Sequence, residues 1–472
     1  MKVFRAKQMA TKRIEGDYKA QYALLRDYCG ELVRANPGTS VKIEVEREPN
    51  HNSSTRQFKR IYICLGPLKE GFKACGRRIL GLDGCFMKGP YPGQILTSVG
   101  IDSNNGIYPL AYALVESENT SSWTWFLKCL GEDLDLEVNS NFTFISDRQK
   151  GIIPALKKVY PMAEHRFCVR HIHENMKAKW KGDLYKNLLW ECASSTTIPE
   201  FEGNMKMVRI TNPALHDWLK EINPKHWSRA FFSGLATSDV LLNNLCEVFN
   251  RQLIGGRDKP IITCLEYIME YCMKRIVVVL KQIAKAEGHL TPKASIIFEQ
   301  IKSEASNYSV LWNGTSKYRV RERGGQDQCV VDVDARVCSC RRWELIGMPC
   351  KHAVAVNWTM AQYGMNPGPP ETWVSEVYWM DTWKKVYKNT INPINGVNLW
   401  TPSQVPTTMI PPKHHSQIGR PSKKRKKSAN EEIVPVKHGK MSQRGNTVTC
   451  NKCNAKGHNR RSCKEVVPQP QL

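Results

Sequence analysis

The spacing of apolar and polar positions changes character several times along the chain. From about Lys12 to Ala35 it follows a helical period among polar residues, and Asn36-Pro37-Gly38 ends it, since proline and glycine punctuate helices. Arg78–Cys85 is an apolar run that closes on Asp83-Gly84. Gln94–Ile101 and Ile107–Val115 read as strands joined by the hairpin turn Asp102-Ser103-Asn104-Asn105-Gly106. Thr120–Leu130 is amphipathic, with Thr120 or Ser121 placed to cap it and aromatic residues at 123, 125 and 126. Phe142–Ser146 is a short apolar strand ending at Asp147, and Gly151–Val159 is a helix with Pro154 near its start. Residues 170–310 are mostly helical in pattern, residues 316–360 return to short strands, and from 401 onward Pro, Ser and Lys predominate.

Strands in succession, followed by alternating helix and strand, predict a mixed α/β sheet. Acids at the ends of its strands stand where such sheets place their chemistry. The opening helix and strand are too little for a domain, so residues 1–76 are expected to be the remnant of an N-terminal region. Residues 77–310 then form the α/β domain with a helical insertion at about 170–240, residues 316–360 a small metal-binding module, and residues 401–448 a basic disordered linker.

Charge narrows the partners. The 472 residues carry a formal net charge of +25, and residues 401–472 hold 15 Lys/Arg against 3 Asp/Glu. Such a chain attracts a polyanion. Nucleic acid fits better than a membrane, because no stretch approaches the apolar length of a membrane span. The N-terminus lacks the apolar core of a signal peptide, and the 17 cysteines cluster at metal-ligand spacings, so a reducing compartment is expected. The run Lys423-Lys424-Arg425-Lys426-Lys427 favours the nucleus. Gly419-Arg420-Pro421 beside it is a weak signal for the minor groove, and nuclear import accounts better for that stretch.

Two cysteine clusters have the order of closed zinc shells. Cys450, Cys453, His458 and Cys463 form C-x2-C-x4-H-x4-C amid Lys452, Lys456, Arg460, Arg461 and Lys464, the character of a knuckle that holds single-stranded nucleic acid. Cys338, Cys340, Cys350 and His352 form C-x-C-x9-C-x-H. Two thiols two apart on a strand share a face, and Cys350 and His352 close the shell from the start of a following helix. A hairpin of Tyr318–Glu322 and Cys329–Val333 is expected to support it.

Asp83 and Asp147 end separate strands, so one sheet can bring them together. A site for two Mg²⁺ ions needs a third acid, which spacing alone does not select. Taken singly, each aspartate reads more readily as a cap or turn residue. Cys168 and His171 form an i, i+3 pair that either binds a metal and orients a neighbour or packs as an ordinary core thiol and imidazole.

Four longer segments resemble plant Mutator-like (MuDR-type) transposases: LGLDGCFMKG at 80–89, FISDRQKGI at 144–152, HRFCVRHIHENM at 165–176 and NNLCEVFNRQL at 243–253. The 338–352 cluster resembles the SWIM zinc finger that follows the catalytic domain in that family. The resemblance implies an RNase H-like fold and a catalytic triad of Asp83, Asp147 and Glu247 acting with Mg²⁺ or Mn²⁺. It also implies zinc in both Cys/His modules and the C-x2-H signature at Cys168 and His171. Double-stranded DNA, single-stranded nucleic acid at the knuckle and a second copy of the chain are the expected partners. Family members usually carry a longer N-terminal DNA-binding region, so a truncated gene product or a partial gene model is expected here. The alternative reading is a domesticated nuclear DNA-binding or transcriptional regulatory protein that no longer transposes.

Overall fold

The computed structural model describes residues 17–46 and 53–413, together with Cys450 and Cys453. The chain divides into two units, Met1–His414 and His415–Leu472. In the second unit, His458 and Cys463 of the expected knuckle lie outside the described residues, as do residues 419–427.

In the first unit, α1 (Tyr18–Ala23) and α2 (Leu25–Ala35) lead into β1 (Ser40–Val45), β2 (Thr55–Cys64) and α3 (Gly66–Cys75). Then come β3 (Ile79–Phe86), β4 (Gln94–Ile101), β5 (Ile107–Val115), α4 (Thr120–Leu134), β6 (Thr143–Ser146), α5 (Ile152–Val159) and β7 (Glu164–Phe167). The helical stretch holds α6 (Val169–Met176), α7 (Asp183–Ser194), α8 (Ile198–Thr211) and α9 (Pro213–Lys220). It is followed by α10 (Asn244–Gln252), α11 (Ile261–Ile283) and α12 (Pro292–Ala305).

The strands form one sheet in the order β1-β2-β5-β4-β3-β6-β7. Pairing is antiparallel from β1 to β3, and parallel from β3 to β6 and from β6 to β7. The hairpin expected at 102–106 closes with the Asp102 N–H donating to the Gly106 carbonyl at 2.9 Å. Helices cover both faces, which is why β4 and β5 are apolar almost throughout instead of alternating. Trp123 and Phe126 of α4, Phe144 of β6 and Phe249 of α10 are fully buried in this core.

The expected boundary at residue 77 is corrected. β2 pairs with β5, Ile61 opposite Leu114 and Cys64 opposite Ala111, and Leu25, Tyr28 and Leu32 belong to the same core. The opening segment therefore builds the sheet, and is not a detached remnant. Its isolated helix and strand looked insufficient only because their partners lie 50 residues on.

A second antiparallel sheet, in the order β11-β10-β9-β8, is built from β8 (Tyr308–Trp312), β9 (Lys317–Glu322), β10 (Gln328–Asp332) and β11 (Val337–Cys338). The expected hairpin forms with Cys329 opposite Val320. Helices α13 (Arg342–Ile346) and α14 (Lys351–Gln362) complete this module around Tyr318, Val320, Val331, Trp343 and Val354. After α15 (Met380–Val386), β12 (Thr408–Ile410) pairs in parallel with β2 and buries Met409. The linker expected over 401–448 thus begins as part of the fold, and residues 414–448 lie outside the described residues. Among the described residues, no helix is long and apolar enough to cross a membrane.

Candidate metal centres

The parallel pairing of β3 with β6 sets Gly81 opposite Ile145. Two residues further along each strand stand Asp83 and Asp147, so the register carries both carboxylates to one place on one face. Helix α10 lies unusually close to that face. A Cβ on Gly81 would meet Asn243 Oδ1 at 2.5 Å and Cys246 Sγ at 2.9 Å, so only glycine permits this approach. Asn243 Nδ2 donates to the Leu82 carbonyl at 2.9 Å, and Asn250 Nδ2 donates to Asp83 Oδ2 at 2.7 Å. The Gly84 N–H donates to Asp83 Oδ1 at 2.9 Å, and the Gln149 N–H donates to Asp147 Oδ1 at 3.0 Å.

Glu247 lies on α10 one turn before Asn250. Its Oε2 accepts from Arg170 Nη1 at 2.5 Å, and its Oε1 is buried without a hydrogen-bond partner. One ligand atom each from Cys168, His171 and Glu247 lie within 4.8 Å of one another, whereas the three acids Asp83, Asp147 and Glu247 do not form such a group. His171 links the two sets. Its pKa is raised to about 9 by the Cys168 sulfur beside it, which outweighs burial, and the charges of Asp147 and Glu247 add to the shift.

A fourth acid, Glu118, enters the same pocket. Its carboxyl lies over Gly84, where a Cβ would stand 2.7 Å from Glu118 Cδ, and Trp123 Nε1 donates to its Oε1 at 3.3 Å. Burial, then the charge of Asp147, pushes its pKa up to about 7. Asp83 is pushed up to about 6 by burial and then by Asp147. Glu118 carries no motif. It follows β5 and precedes Asn119, which caps α4, so only its place after a strand marked it in the sequence.

These shifts have a consequence for stability. Both carboxyls hold their protons to higher pH in the folded chain than in the unfolded one, so the folded state binds more protons between about pH 4 and 7. Stability without divalent cations therefore falls as pH rises through that window, by on the order of 2 kcal/mol after solvent screening. Thermal melting across pH 5 to 8 is expected to show this decline, with Mg²⁺ reversing it at pH 8. A melting point independent of pH would contradict the crowded pocket.

The second centre lies in the small module. Cys338 ends β11, Cys340 follows in the turn, Cys350 caps α14 and His352 lies in its first turn. Their ligand atoms all fall within 4.8 Å of one another, the compactness that a tetrahedral Cys3His shell requires. His352 Nδ1 lies 3.5 Å from Cys338 Sγ and 3.8 Å from Cys350 Sγ. The neighbouring Cys329 and Cys338 hold the Cys340 thiol down to about 6, and Cys350 also lies well below the ordinary thiol range beside Cys338 and Cys340.

The other ring nitrogen, His352 Nε2, lies 3.1 Å from Asp327 Oδ2, which also accepts from Tyr308 Oη at 2.8 Å and pairs with Lys351 Nζ at 3.3 Å. A carboxylate on Nε2 leaves Nδ1 to face the thiols and fixes the ring. Asp327 and Cys329 were not legible as parts of this centre, because they fall outside the C-x-C…C-x-H spacing. Asp327→Asn is expected to weaken zinc binding by roughly 10- to 100-fold. Competition with a chromophoric chelator measures this, and an unchanged affinity would remove Asp327 from the centre.

The first unit thus holds a carboxylate-lined α/β sheet and a compact Cys3His cluster. Residues 79–175 match the MULE transposase domain, and residues 328–360 match the SWIM zinc finger. Protein FAR1-RELATED SEQUENCE 6 of Arabidopsis thaliana is 22% identical over 173 residues, which cover 34% of this chain and 24% of that protein. The match thus spans about a quarter of the relative's length. These matches make the two segments similar to a Mutator-like transposase domain and to a SWIM zinc finger.

Proposed function

We propose that the sheet domain is an RNase H-like core that cleaves DNA strands with Mg²⁺ or Mn²⁺ and transfers them. The carrying observation is the register of β3 and β6, which sets Asp83 and Asp147 side by side at the end of a meander followed by two parallel strands. The pocket suits hard cations. It offers carboxylate oxygens, and two of the carboxyls, Asp83 and Glu118, hold their protons to higher pH because burial disfavours their charge and Asp147 lies nearby. When bound, the cations activate water or a 3′-hydroxyl and stabilise the leaving oxygen of the phosphodiester. Asp83 and Asp147 would hold them, with Asn250 fixing the Asp83 carboxylate. Glu247 would complete the set and position the nucleophile. Glu118 is a further oxygen donor at the same place.

The SWIM module, and the knuckle of Cys450, Cys453, His458 and Cys463, would each take one Zn²⁺ and bind DNA or, at the knuckle, single-stranded nucleic acid. Closed shells leave these ions out of the chemistry. The basic run at 423–427 would direct the protein to the nucleus.

A second reading, a nuclear regulatory DNA-binding protein without transposition, is favoured by one observation. Glu247 is engaged by Arg170 and stands with Cys168 and His171 instead of closing on the two aspartates. Nicking of supercoiled plasmid in Mg²⁺ or Mn²⁺ separates the two readings. Metal-dependent nicking supports the first, and DNA binding without nicking supports the second.

A further inference from the structure

Cys168 is fully buried at the start of α6, and its Sγ accepts the Asn243 N–H at 3.2 Å. One turn along the same helix is His171, whose Nδ1 is buried without a hydrogen-bond partner. Glu247 Oε1, reaching in from α10, is likewise buried and unpartnered. Two orphaned polar atoms beside a sulfur, with ligand atoms of all three residues inside 4.8 Å, leave hydrogen-bonding capacity unmet among the protein groups. The donor set is one sulfur, one imidazole nitrogen and one carboxylate oxygen. That mixture suits a borderline-soft divalent ion and not Mg²⁺.

We propose that Cys168, His171 and Glu247 form a three-ligand site for a transition-metal cation such as Zn²⁺, distinct from both Cys3His shells and sharing Glu247 with the carboxylate pocket. Three protein ligands leave one position of a tetrahedron open. Occupation commits Glu247 to the soft ion, so Zn²⁺ bound here competes with the hard cations of the neighbouring acids. Binding stands independently of the nuclease reading, whereas the competition rests on it.

Cadmium NMR of the full-length protein loaded with Cd²⁺ tests the binding. Sites with three thiolates and a site with one resonate in separate regions. The wild type is expected to show a one-thiolate resonance that Cys168→Ser abolishes while the three-thiolate resonances persist. Should Cys168→Ser fail to fold, His171→Gln serves as the second variant, with the same loss expected. The absence of a one-thiolate resonance in the wild type, or its persistence in the variant, overturns the site. Where Mg²⁺-dependent nicking is observed, added Zn²⁺ is expected to inhibit it, with excess Mg²⁺ relieving the inhibition. Inhibition that Mg²⁺ does not relieve would overturn the sharing of Glu247. A protein that binds Cd²⁺ at this site but never nicks DNA keeps the site and loses only the nuclease reading.

Discussion

Asp83→Asn is expected to reduce Mg²⁺-dependent nicking of supercoiled DNA by on the order of a thousandfold or more, with DNA affinity little changed. The amide keeps the shape of the side chain but takes away the charge that holds a cation. At pH 8 the same variant is expected to melt higher than the wild type without divalent cations, because it removes a carboxylate whose ionisation burial opposes. The two readouts move in opposite directions, which separates a lost metal ligand from a damaged fold. Nicking that survives both Asp83→Asn and Glu247→Gln would reject the triad. Loss of nicking in Asp83→Asn together with a lower melting point would point to misfolding instead.

Removal of zinc from the SWIM module should have the largest structural effect. Chelation leaves three thiols and an imidazole to share one small pocket with no ion to join them, and Cys350→Ser removes one of the four ligands. Structural zinc in small modules supplies roughly 10 kcal/mol or more of apparent binding free energy. Residues 333–352 are therefore expected to lose hydrogen-exchange protection by on the order of a hundredfold or more, about 3 kcal/mol of local stability. β3, β4 and β5 should keep their protection, because their core of Leu82, Leu96 and Leu114 does not depend on this centre. Equal protection with and without chelator would mean that the module's own hydrophobic core, and not the metal, fixes the ligand loop.

The sheet's central strands were legible because their apolar runs end in turn residues and are short. Gln94–Ile101 and Ile107–Val115 match β4 and β5 residue for residue. The Cys3His ligands were legible for a similar reason, since the four lie within 15 residues and local spacing dictates their meeting. Order and neighbours across the sheet were not. The assignment of residues 1–76 to a remnant failed because a helix and two strands separate β2 from its partner β5 along the chain, and nothing near β2 encodes that pairing. Glu118 escaped notice because a glutamate before a helix cap is ordinary by itself. It gains meaning only from Gly84 beneath it and Asp147 nearby.

By itself the sequence determined the α/β character, the strand-end aspartates and the compact Cys3His cluster of residues 338–352, all of which follow from local period and spacing. Only the tertiary structure decided that β3 and β6 run in parallel register, that α10 approaches Gly81 closely enough to deliver Asn250 to Asp83, and that Glu247 stands with Cys168 and His171. Local pattern fixes which face a side chain takes. The meeting of residues more than 60 positions apart depends on how sheet and helices pack, and that is a property of the whole chain.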